Sequence, residues 1–279
     1  MTTDEKLAAM LAAVQIDPGN RGLARDPHEN LFTVTAGQFQ AACRSIAEHP
    51  NPAVVLVTGF WIPSASPPAF ETDGPLGSAF LMTVLNRLSI PTRILCEPEL
   101  SHIFKPASAF TPSHLIACER PGPTADGSFR TMRGRDITSN HAVVHAEYVA
   151  MRAKHNPVNI GIGDGGNEIG MGSIPESVIA RNIADGAAVH CIVPVDHLIV
   201  AGVSNWGAYA LAAGVALLRR ESTVHKMFEP IMEQLGLLKM VEAGPLVDGV
   251  LGVRQATVDG LAWDAYIAPL VRMREILKS

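Results

Sequence analysis

Short runs of β-branched and other apolar residues alternate along this chain with segments that have a helical pattern. The runs that predict buried strands are residues 53–59, 92–96, 114–119, 158–163, 187–193 and 197–203. The helical segments are residues 75–89, 139–155, 175–186 and 205–220. This alternation predicts an α/β fold, a three-layer sandwich in which helices flank a mostly parallel sheet. The last two runs are too close together for a helical crossover, so we expect the sheet to be mixed at that point.

The size of the chain predicts one domain. Its 279 residues, of which 47% are hydrophobic, can bury one large core. We therefore expect a single α/β catalytic domain over residues 1–279, with a helical lead-in over residues 1–50 and a largely helical tail over residues 221–279. The longest apolar run, residues 208–218, is too short to span a bilayer, for which about 20 residues are needed, so no membrane association is expected.

The charge and cysteine content narrow the classes of partner. The chain has 22 Lys plus Arg against 27 Asp plus Glu and contains no basic run, so nucleic acid is not an expected partner. The amino terminus carries Asp4 and Glu5 and does not match a secretory signal. The four cysteines are far apart, which indicates reduced thiols. These features favour a cytoplasmic protein that acts on a small molecule, and they leave a homodimer open.

The glycine-rich segment GIGDGGNEIGMG, residues 161–172, directly follows a predicted strand. Its glycines match the Gly-x-Gly-x-x-Gly spacing of dinucleotide-binding loops at Gly161, Gly163 and Gly166. That motif opens straight into a helix, whereas here the next helix is expected only at Ser173, with a capping box formed by Ser173 and Glu176. Asp164 would also repel a phosphate. We therefore expect no nicotinamide or flavin nucleotide and no other organic cofactor.

Two further stretches carry the same kind of signal, ETDGPLG at residues 71–77 and AGVSNWGAYALA at residues 201–212. Together with GDGGNEIGMG at residues 163–172, they resemble the D-glutamate cyclase family over roughly residues 54–218. The resemblance implies cyclisation of D-glutamate, an amino acid dicarboxylate, to 5-oxo-D-proline with loss of water. Two other classes stay open: another metal-assisted α/β enzyme, such as a hydro-lyase or hydrolase of small carboxylic acids, and a non-catalytic amino-acid-binding protein.

A cyclisation of this kind needs a base, because the α-ammonium group must lose a proton before its nitrogen can attack. It also needs a group that offsets the charge of the γ-carboxylate. The acidic residues of the three motifs are the candidate catalytic groups: Glu71, Asp73, Asp164 and Glu168. Asp164 and Glu168 could alternatively bind a divalent cation, Mg²⁺ or Mn²⁺, that polarises the γ-carboxylate.

Several of these motif residues also have a purely structural interpretation. Asp73 stands before Gly74 and Pro75, where it could cap the amino terminus of a helix. The side chains of Asp164 and Asn167 could stabilise their own turn.

Substrate carboxylates need hydrogen-bond donors. The candidates are Gly165, Gly166, Asn167, Ser204, Asn205 and Arg133. Ser204 and Asn205 begin a predicted helix, whose amino terminus offers free N–H groups and positive potential, although Ser204 could also be a plain helix cap. Arg135 and Arg254 are further carboxylate partners, or form surface ion pairs as Arg133 could. His141 and His145, four residues apart without a zinc motif, are expected to be a packed or solvated pair.

The three motifs each follow a predicted strand. Loops and helix amino termini gather at the carboxyl ends of parallel strands, where open α/β sheets bind their ligands. We therefore expect the carboxylate of Glu71, the amide of Asn167 and the hydroxyl of Ser204 to line one cavity of about 300–1,000 Å³.

Overall fold

The computed structural model describes residues 1–104, 106–221 and 223–279. Its strands are β1 (Val54–Thr58), β2 (Trp61–Ile62), β3 (Ala69–Glu71), β4 (Thr92–Leu95), β5 (His114–Cys118), β6 (Val158–Gly163), β7 (His197–Val200) and β8 (Leu246–Val247). Its α-helices are α1 (Thr3–Val14), α2 (Gln38–Ala47), α3 (Pro75–Arg87), α4 (Pro98–Ser101), α5 (Thr138–His155), α6 (Glu176–Asn182), α7 (Gly186–Val189), α8 (Ser204–Leu218), α9 (Pro230–Ala243) and α10 (Trp263–Lys278). A short 3₁₀ helix spans Val224–Met227.

The central sheet has the strand order β4-β1-β5-β6-β7, and every neighbouring pair is parallel. This confirms the expected α/β fold. The chain runs from β1 to β4 on one side and then crosses to β5 on the other side of β1. Loops that leave the carboxyl ends of β1 and β5 therefore diverge, and this divergence opens the crevice in which such sheets bind ligands.

Residues 187–193 do not form the expected strand. They form the end of α7 and a loop, and β7 pairs directly with β6. The N–H of Cys191 donates to the carbonyl of Gly166, and the N–H of Ile192 donates to the carbonyl of Pro123, so this segment pairs with loops rather than with the sheet. The mixed pairing expected here is therefore absent from the central sheet. An antiparallel pair occurs instead between β2 and β3, in a small sheet of order β2-β3-β8.

Helix α8 is the most deeply buried helix of those described. Residues Ser204 to Ala216 are all buried, because α1, α2, α3 and α10 pack around it. Close approach of two of these helices requires glycine: a Cβ at Gly77 would lie 2.6 Å from the Cα of Asn205, and one at Gly214 would lie 2.4 Å from the Sγ of Cys43. The lead-in and tail helices thus cover the same core as the sheet.

The helix after the glycine-rich loop begins later than expected. Helix α6 starts at Glu176, and the Ser173–Glu176 capping box does not form. The hydroxyl of Ser173 instead donates to the carbonyl of Val195 and accepts from its N–H, which ties this loop to the start of β7. As expected, no helix follows directly on the glycine motif. Within the described parts of the chain, no helix is both long and apolar enough to cross a membrane.

Candidate active site

A cavity of about 290 Å³ lies at the carboxyl edge of the central sheet. Its charged lining comes from four acids, Glu71, Glu119, Asp164 and Asp259, and from three arginines, Arg21, Arg133 and Arg135. Its apolar lining comes from Phe60, Ile62, Pro63, Met132 and Val250. Acidic and apolar walls in one small cavity are suited to a small ligand that carries a positive group.

Glu71 reaches this cavity from the small sheet. It is the last residue of β3 rather than part of a loop, and its N–H donates to the carbonyl of Phe60 over 2.9 Å. Gly249 lies against its carboxylate, so a Cβ there would be 1.8 Å from Oε2 of Glu71. The absence of a side chain at Gly249 is therefore what lets Glu71 occupy its place.

Asp73 and Asn205 cap each other's helices. The carboxylate of Asp73 accepts from the N–H groups of Ser204 (2.9 Å) and Asn205 (2.8 Å), at the amino terminus of α8. The Oδ1 of Asn205 accepts from Gly74 and Gly77, at the amino terminus of α3. The interpretation of Asp73 as the cap of α3 is therefore wrong, because it caps α8 across the sheet edge. This exchange fixes the start of both helices.

Ser204 is the first residue of α8, not its cap. The residue before the helix is Val203, whose side chain makes no capping bond. The hydroxyl of Ser204 donates to Oε2 of Glu119 over 2.6 Å. Glu119 directly follows β5 and is buried. We did not identify it from the sequence, although the rule applied to the other motifs, an acid after a buried strand, would have found it.

Three buried acids form one group. Single carboxylate oxygens of Asp73, Glu119 and Asp164 all lie within 4.8 Å of one another. Carboxylate oxygens are the ligands that Mg²⁺, Mn²⁺ and Ca²⁺ prefer, so this triad could hold a metal ion. The composition differs from the pair we expected, because Glu168 is not a member of the group and Asp73 and Glu119 are.

Arg21 supplies positive charge to this cluster. Its Nη1 pairs with Asp164, and its Nη2 pairs with Asp259 over 2.8 Å. Both Arg21 and Asp259 were missed from the sequence. Arg21 stands in the loop after α1, which carries no motif, and Asp259 stands near the end of the chain with a left-handed backbone (φ 55°).

Burial raises the pKa of most of these acids. It lifts the pKa of Glu71, Asp73 and Glu119 well above their usual values, and neighbouring carboxylates raise them further. Burial together with Asp164 raises the pKa of Glu168 to about 8, and burial raises that of Asp259 to about 6. Burial and mutual repulsion therefore favour the protonated forms of these acids.

The glycine-rich loop folds tightly over Glu168. A Cβ at Gly165 would lie 2.9 Å from Oε1 of Glu168, and that oxygen accepts from the N–H of Asp164 over 3.3 Å. The Oε2 of Glu168 is buried and has no hydrogen-bond partner among the residues that the structure describes. Gly166 faces α6 rather than the cavity, and a Cβ at this position would lie 3.0 Å from Cγ2 of Ile179. The glycines are thus required by packing.

Asn167 holds a neighbouring hairpin. Its Nδ2 donates to the carbonyl of Arg130 over 2.8 Å, and Arg130 bridges to Asp136 across the hairpin. At the tip, the exposed Arg133 and Arg135 line the cavity. In the described parts of the chain, Asn167 bonds to this hairpin and Asp164 pairs with Arg21, and neither side chain forms a hydrogen bond within its own turn. Asn167 instead fixes the wall that carries the rim arginines.

The remaining candidates lie away from the cavity. Arg254 donates to the carbonyls of Val241 and Glu242 at the carboxyl end of α9. His141 is buried and contacts Glu97 through Nδ1 (3.0 Å), while its Nε2 accepts from the N–H of Trp61. The expectation of a packed histidine fits His141, and it fits His145, whose ring stacks edge-on against Phe129.

The geometric prediction for the three motifs holds only in part. Glu71 and Asp164 line the cavity, as does Arg133. Asn167 and Ser204 are not among its lining residues, and neither are Asp73, Gly165, Gly166, Glu168 or Asn205. Asp73 is nevertheless a member of the acid cluster, and the hydroxyl of Ser204 contacts that cluster through Glu119. The three motifs do converge on one region, but several of their residues lie behind the cavity lining rather than on its surface.

Comparison with known proteins identifies the family. A family model described as D-glutamate cyclase-like, C-terminal, matches residues 10–111 and 103–274. The chain belongs to this family. Human mitochondrial D-glutamate cyclase is 30% identical over 257 residues, which cover 78% of this chain and 40% of the human protein. The D-glutamate cyclase-like chain therefore spans less than half the length of this relative. The relative is mitochondrial, and a cytoplasmic location for this chain stays a prediction.

A solved structure also aligns with this D-glutamate cyclase-like protein. It is the sugar isomerase domain of the RpiR transcription factor from Sphaerobacter thermophilus, with 17% sequence identity and a TM-score of 0.28. The alignment covers 86% of this chain and 94% of that one. A TM-score this low supports no structural conclusion.

Proposed function

We propose that this protein is a D-glutamate cyclase, which converts D-glutamate to 5-oxo-D-proline and water by intramolecular amide formation. The observation that carries the proposal is the cavity in which Glu71, Glu119 and Asp164 meet beside Arg21. Family membership and the match to the human enzyme support the choice of substrate. The cavity itself supports acid–base chemistry on a ligand with both charges.

The reaction moves two protons from nitrogen to oxygen. The α-ammonium loses one proton before its nitrogen attacks the γ-carboxyl carbon, and the nitrogen loses a second proton after the C–N bond forms. One γ-carboxylate oxygen gains both protons and leaves as water. No net proton is consumed, so the site needs a proton acceptor and a proton donor within reach of the same ligand.

The cavity supplies both kinds of group. The carboxylate of Asp164 pairs with the guanidinium of Arg21, and we assign Asp164 as the proton acceptor. Burial raises the pKa of Glu71 and Glu119, which favours their protonated forms, and we assign them as proton donors to the γ-carboxylate. Adjacent carboxyl groups in different protonation states are how acid and base roles are divided in one site.

The other motif residues have supporting roles. Asp73 and Ser204 position Glu119 through the start of α8, and Glu168 positions Asp164 by accepting its N–H. Arg133, at the cavity rim, is assigned to the γ-carboxylate. A metal ion on Asp73, Glu119 and Asp164 would polarise the γ-carboxylate.

The test is direct. Purified protein is incubated with each glutamate enantiomer, with and without Mg²⁺ or Mn²⁺, while loss of primary amine and formation of 5-oxoproline are followed by mass spectrometry. We expect turnover of D-glutamate. Absence of amine loss under every metal condition, with a folded sample, would refute the proposal. Turnover of other small acids alone would support a hydro-lyase or hydrolase, and binding without consumption would indicate an amino-acid-binding protein.

A further inference from the structure

The cavity presents an electrostatic difficulty for an anionic ligand. Its acidic lining, Glu71, Glu119, Asp164 and Asp259, attracts an ammonium group and repels a carboxylate. Glutamate carries two carboxylates. A site for this ligand therefore needs positive charge inside the cavity, and among the described residues Arg21 is the cation that pairs with acids of the lining, Asp164 and Asp259.

The backbone around Arg21 is held in place. Its N–H donates to Oδ1 of Asp17 over 2.9 Å, and Oδ2 of Asp17 accepts from Gly22 and Leu23. The loop also packs against the end of α6, since a Cβ at Gly22 would lie 2.1 Å from the carbonyl oxygen of Asn182. Arg21 therefore projects from a fixed loop, which limits the entropy lost when its side chain binds a ligand.

The guanidinium of Arg21 has more N–H donors than its two ion pairs use. A guanidinium carries five N–H groups, and in the described residues its side-chain contacts are with Asp164 and Asp259. Its side chain remains 20% exposed where it lines the cavity. The two acids hold the plane of the group, and the remaining donors are available to a planar carboxylate, which Arg binds with two parallel hydrogen bonds.

We propose that Arg21 anchors the α-carboxylate of an amino-acid ligand, while Asp164 beside it takes the α-ammonium. This inference rests on the proposed function only for the identity of the amino acid. An α-amino acid carries a carboxylate and an ammonium on one carbon, and a guanidinium next to a carboxylate is the complement of that pair. The rim arginines, Arg133 and Arg135, are exposed and form no ion pair within the described chain, so they lack the acid that the ammonium needs.

The assignment also fits the geometry of ring closure. In the cyclic product the nitrogen is bonded to both the α-carbon and the former γ-carboxyl carbon. The two carboxylates must therefore lie on either side of the nitrogen before attack. With Arg21 on the α-carboxylate, the γ-carboxylate is directed to the rim, where Arg133 stands, and the nitrogen is left facing Asp164.

Two ligand analogues separate the ends of the substrate. D-2-aminobutyrate keeps the α-carboxylate and lacks the γ-carboxylate, whereas 4-aminobutyrate keeps the terminal carboxylate and lacks the α-carboxylate. Binding of both analogues and of D-glutamate is measured by calorimetry with the wild-type protein, Arg21→Met and Arg133→Met. We expect Arg21→Met to weaken D-2-aminobutyrate and D-glutamate at least about tenfold and to leave 4-aminobutyrate within about twofold, since hydrogen bonds to charged groups contribute on this scale.

Arg133→Met is the matched control and should show the reverse pattern. Equal weakening of both analogues by Arg21→Met, or loss of 4-aminobutyrate alone, would overturn the inference. If Arg21→Met does not fold, Arg21→Lys keeps a charge beside Asp164 and Asp259 but removes the planar pair of donors, and it should still weaken D-2-aminobutyrate selectively. A wild-type protein that binds D-glutamate but not D-2-aminobutyrate would also refute it.

The experiment separates this inference from the proposed reaction because it measures binding without turnover. If D-glutamate binds through Arg21 and is not consumed, the cyclase assignment fails and the anchor stands. If D-glutamate is consumed and Arg21→Met shows no selectivity between the analogues, the anchor fails and the cyclase assignment stands.

Discussion

Glu233 allows a stability prediction that can be worked through quantitatively. It lies on α9, is 5% exposed, and accepts a hydrogen bond from the hydroxyl of Tyr209. That hydroxyl contacts Tyr266 over 2.5 Å, and Nδ2 of Asn205 donates to the Tyr266 hydroxyl over 3.1 Å. Burial raises the pKa of Glu233 to about 8, although its bond with Tyr209 opposes the shift.

The sign of the pH effect follows from where the proton is held. Below pH 4.5, the ordinary pKa of the group, both the folded and unfolded states hold the proton and the free energy of unfolding is unaffected. Above it, the unfolded chain releases the proton while the folded protein keeps it until about pH 8. Stability therefore falls as pH rises, by about 3 kcal/mol at pH 7 and about 5 kcal/mol above pH 8, at 1.36 kcal/mol per pKa unit.

Glu233→Gln should remove this dependence. Its buried amide adds a cost of about 1–3 kcal/mol that does not vary with pH. Relative to the wild type, the free energy of unfolding of the variant should therefore rise by about 2.5 kcal/mol between pH 5 and pH 7. Urea denaturation at several pH values measures this difference, with Glu242→Gln, an exposed position on the same helix, as the control. A difference that is constant with pH would refute the reasoning.

Five further substitutions, two of them for comparison, test the site. Glu71→Gln should lower turnover by about 10²–10⁴-fold with an unchanged melting temperature. Glu168→Gln keeps the acceptor for the Asp164 N–H and should lose less turnover. A larger loss of turnover in Glu168→Gln would reverse the roles assigned to the two residues. Gly249→Ala should displace the Glu71 carboxylate and lower turnover by about 10²-fold. Gly236→Ala, whose Cβ would contact Leu76 at 3.6 Å, is the control and should leave turnover unchanged. Equal effects of the two variants on turnover would contradict this prediction. Asp73→Asn should lower the free energy of unfolding by about 1 kcal/mol, since an amide accepts at one atom where the carboxylate caps α8 with two; denaturation that matches the wild type would argue against this.

The sequence was sufficient to predict the fold class and the family. Apolar runs of strand length alternating with helical patterns predict a parallel sheet, because a strand buried on both faces must be apolar throughout and must be followed by a crossover. The motifs at residues 71–77, 163–172 and 201–212 were enough to recognise the family. They also placed Glu71 and Asp164 at the carboxyl edge of the sheet.

The partners of these residues depend on the tertiary structure. Asp73 has the local context of a cap for α3, and only the packing of α3 against α8 shows that it caps α8 instead. The run at residues 187–193 has the composition of a strand, but β7 already occupies the edge beside β6, so it pairs with loops. In both cases the local preference is real, and a contact between distant segments overrides it.

Arg21, Glu119 and Asp259 show the same limit within the site. Asp164 meets Arg21 and Arg21 meets Asp259 because three separate segments of the chain reach one edge of the sheet, and no spacing in the sequence records that meeting. Only Glu119 carries a local signal, its position directly after β5. The sequence by itself determined which strands and helices form and which family they build. The charge balance of the cavity was decided by folding, because Coulomb interactions depend on the distance between side chains in space and on their burial.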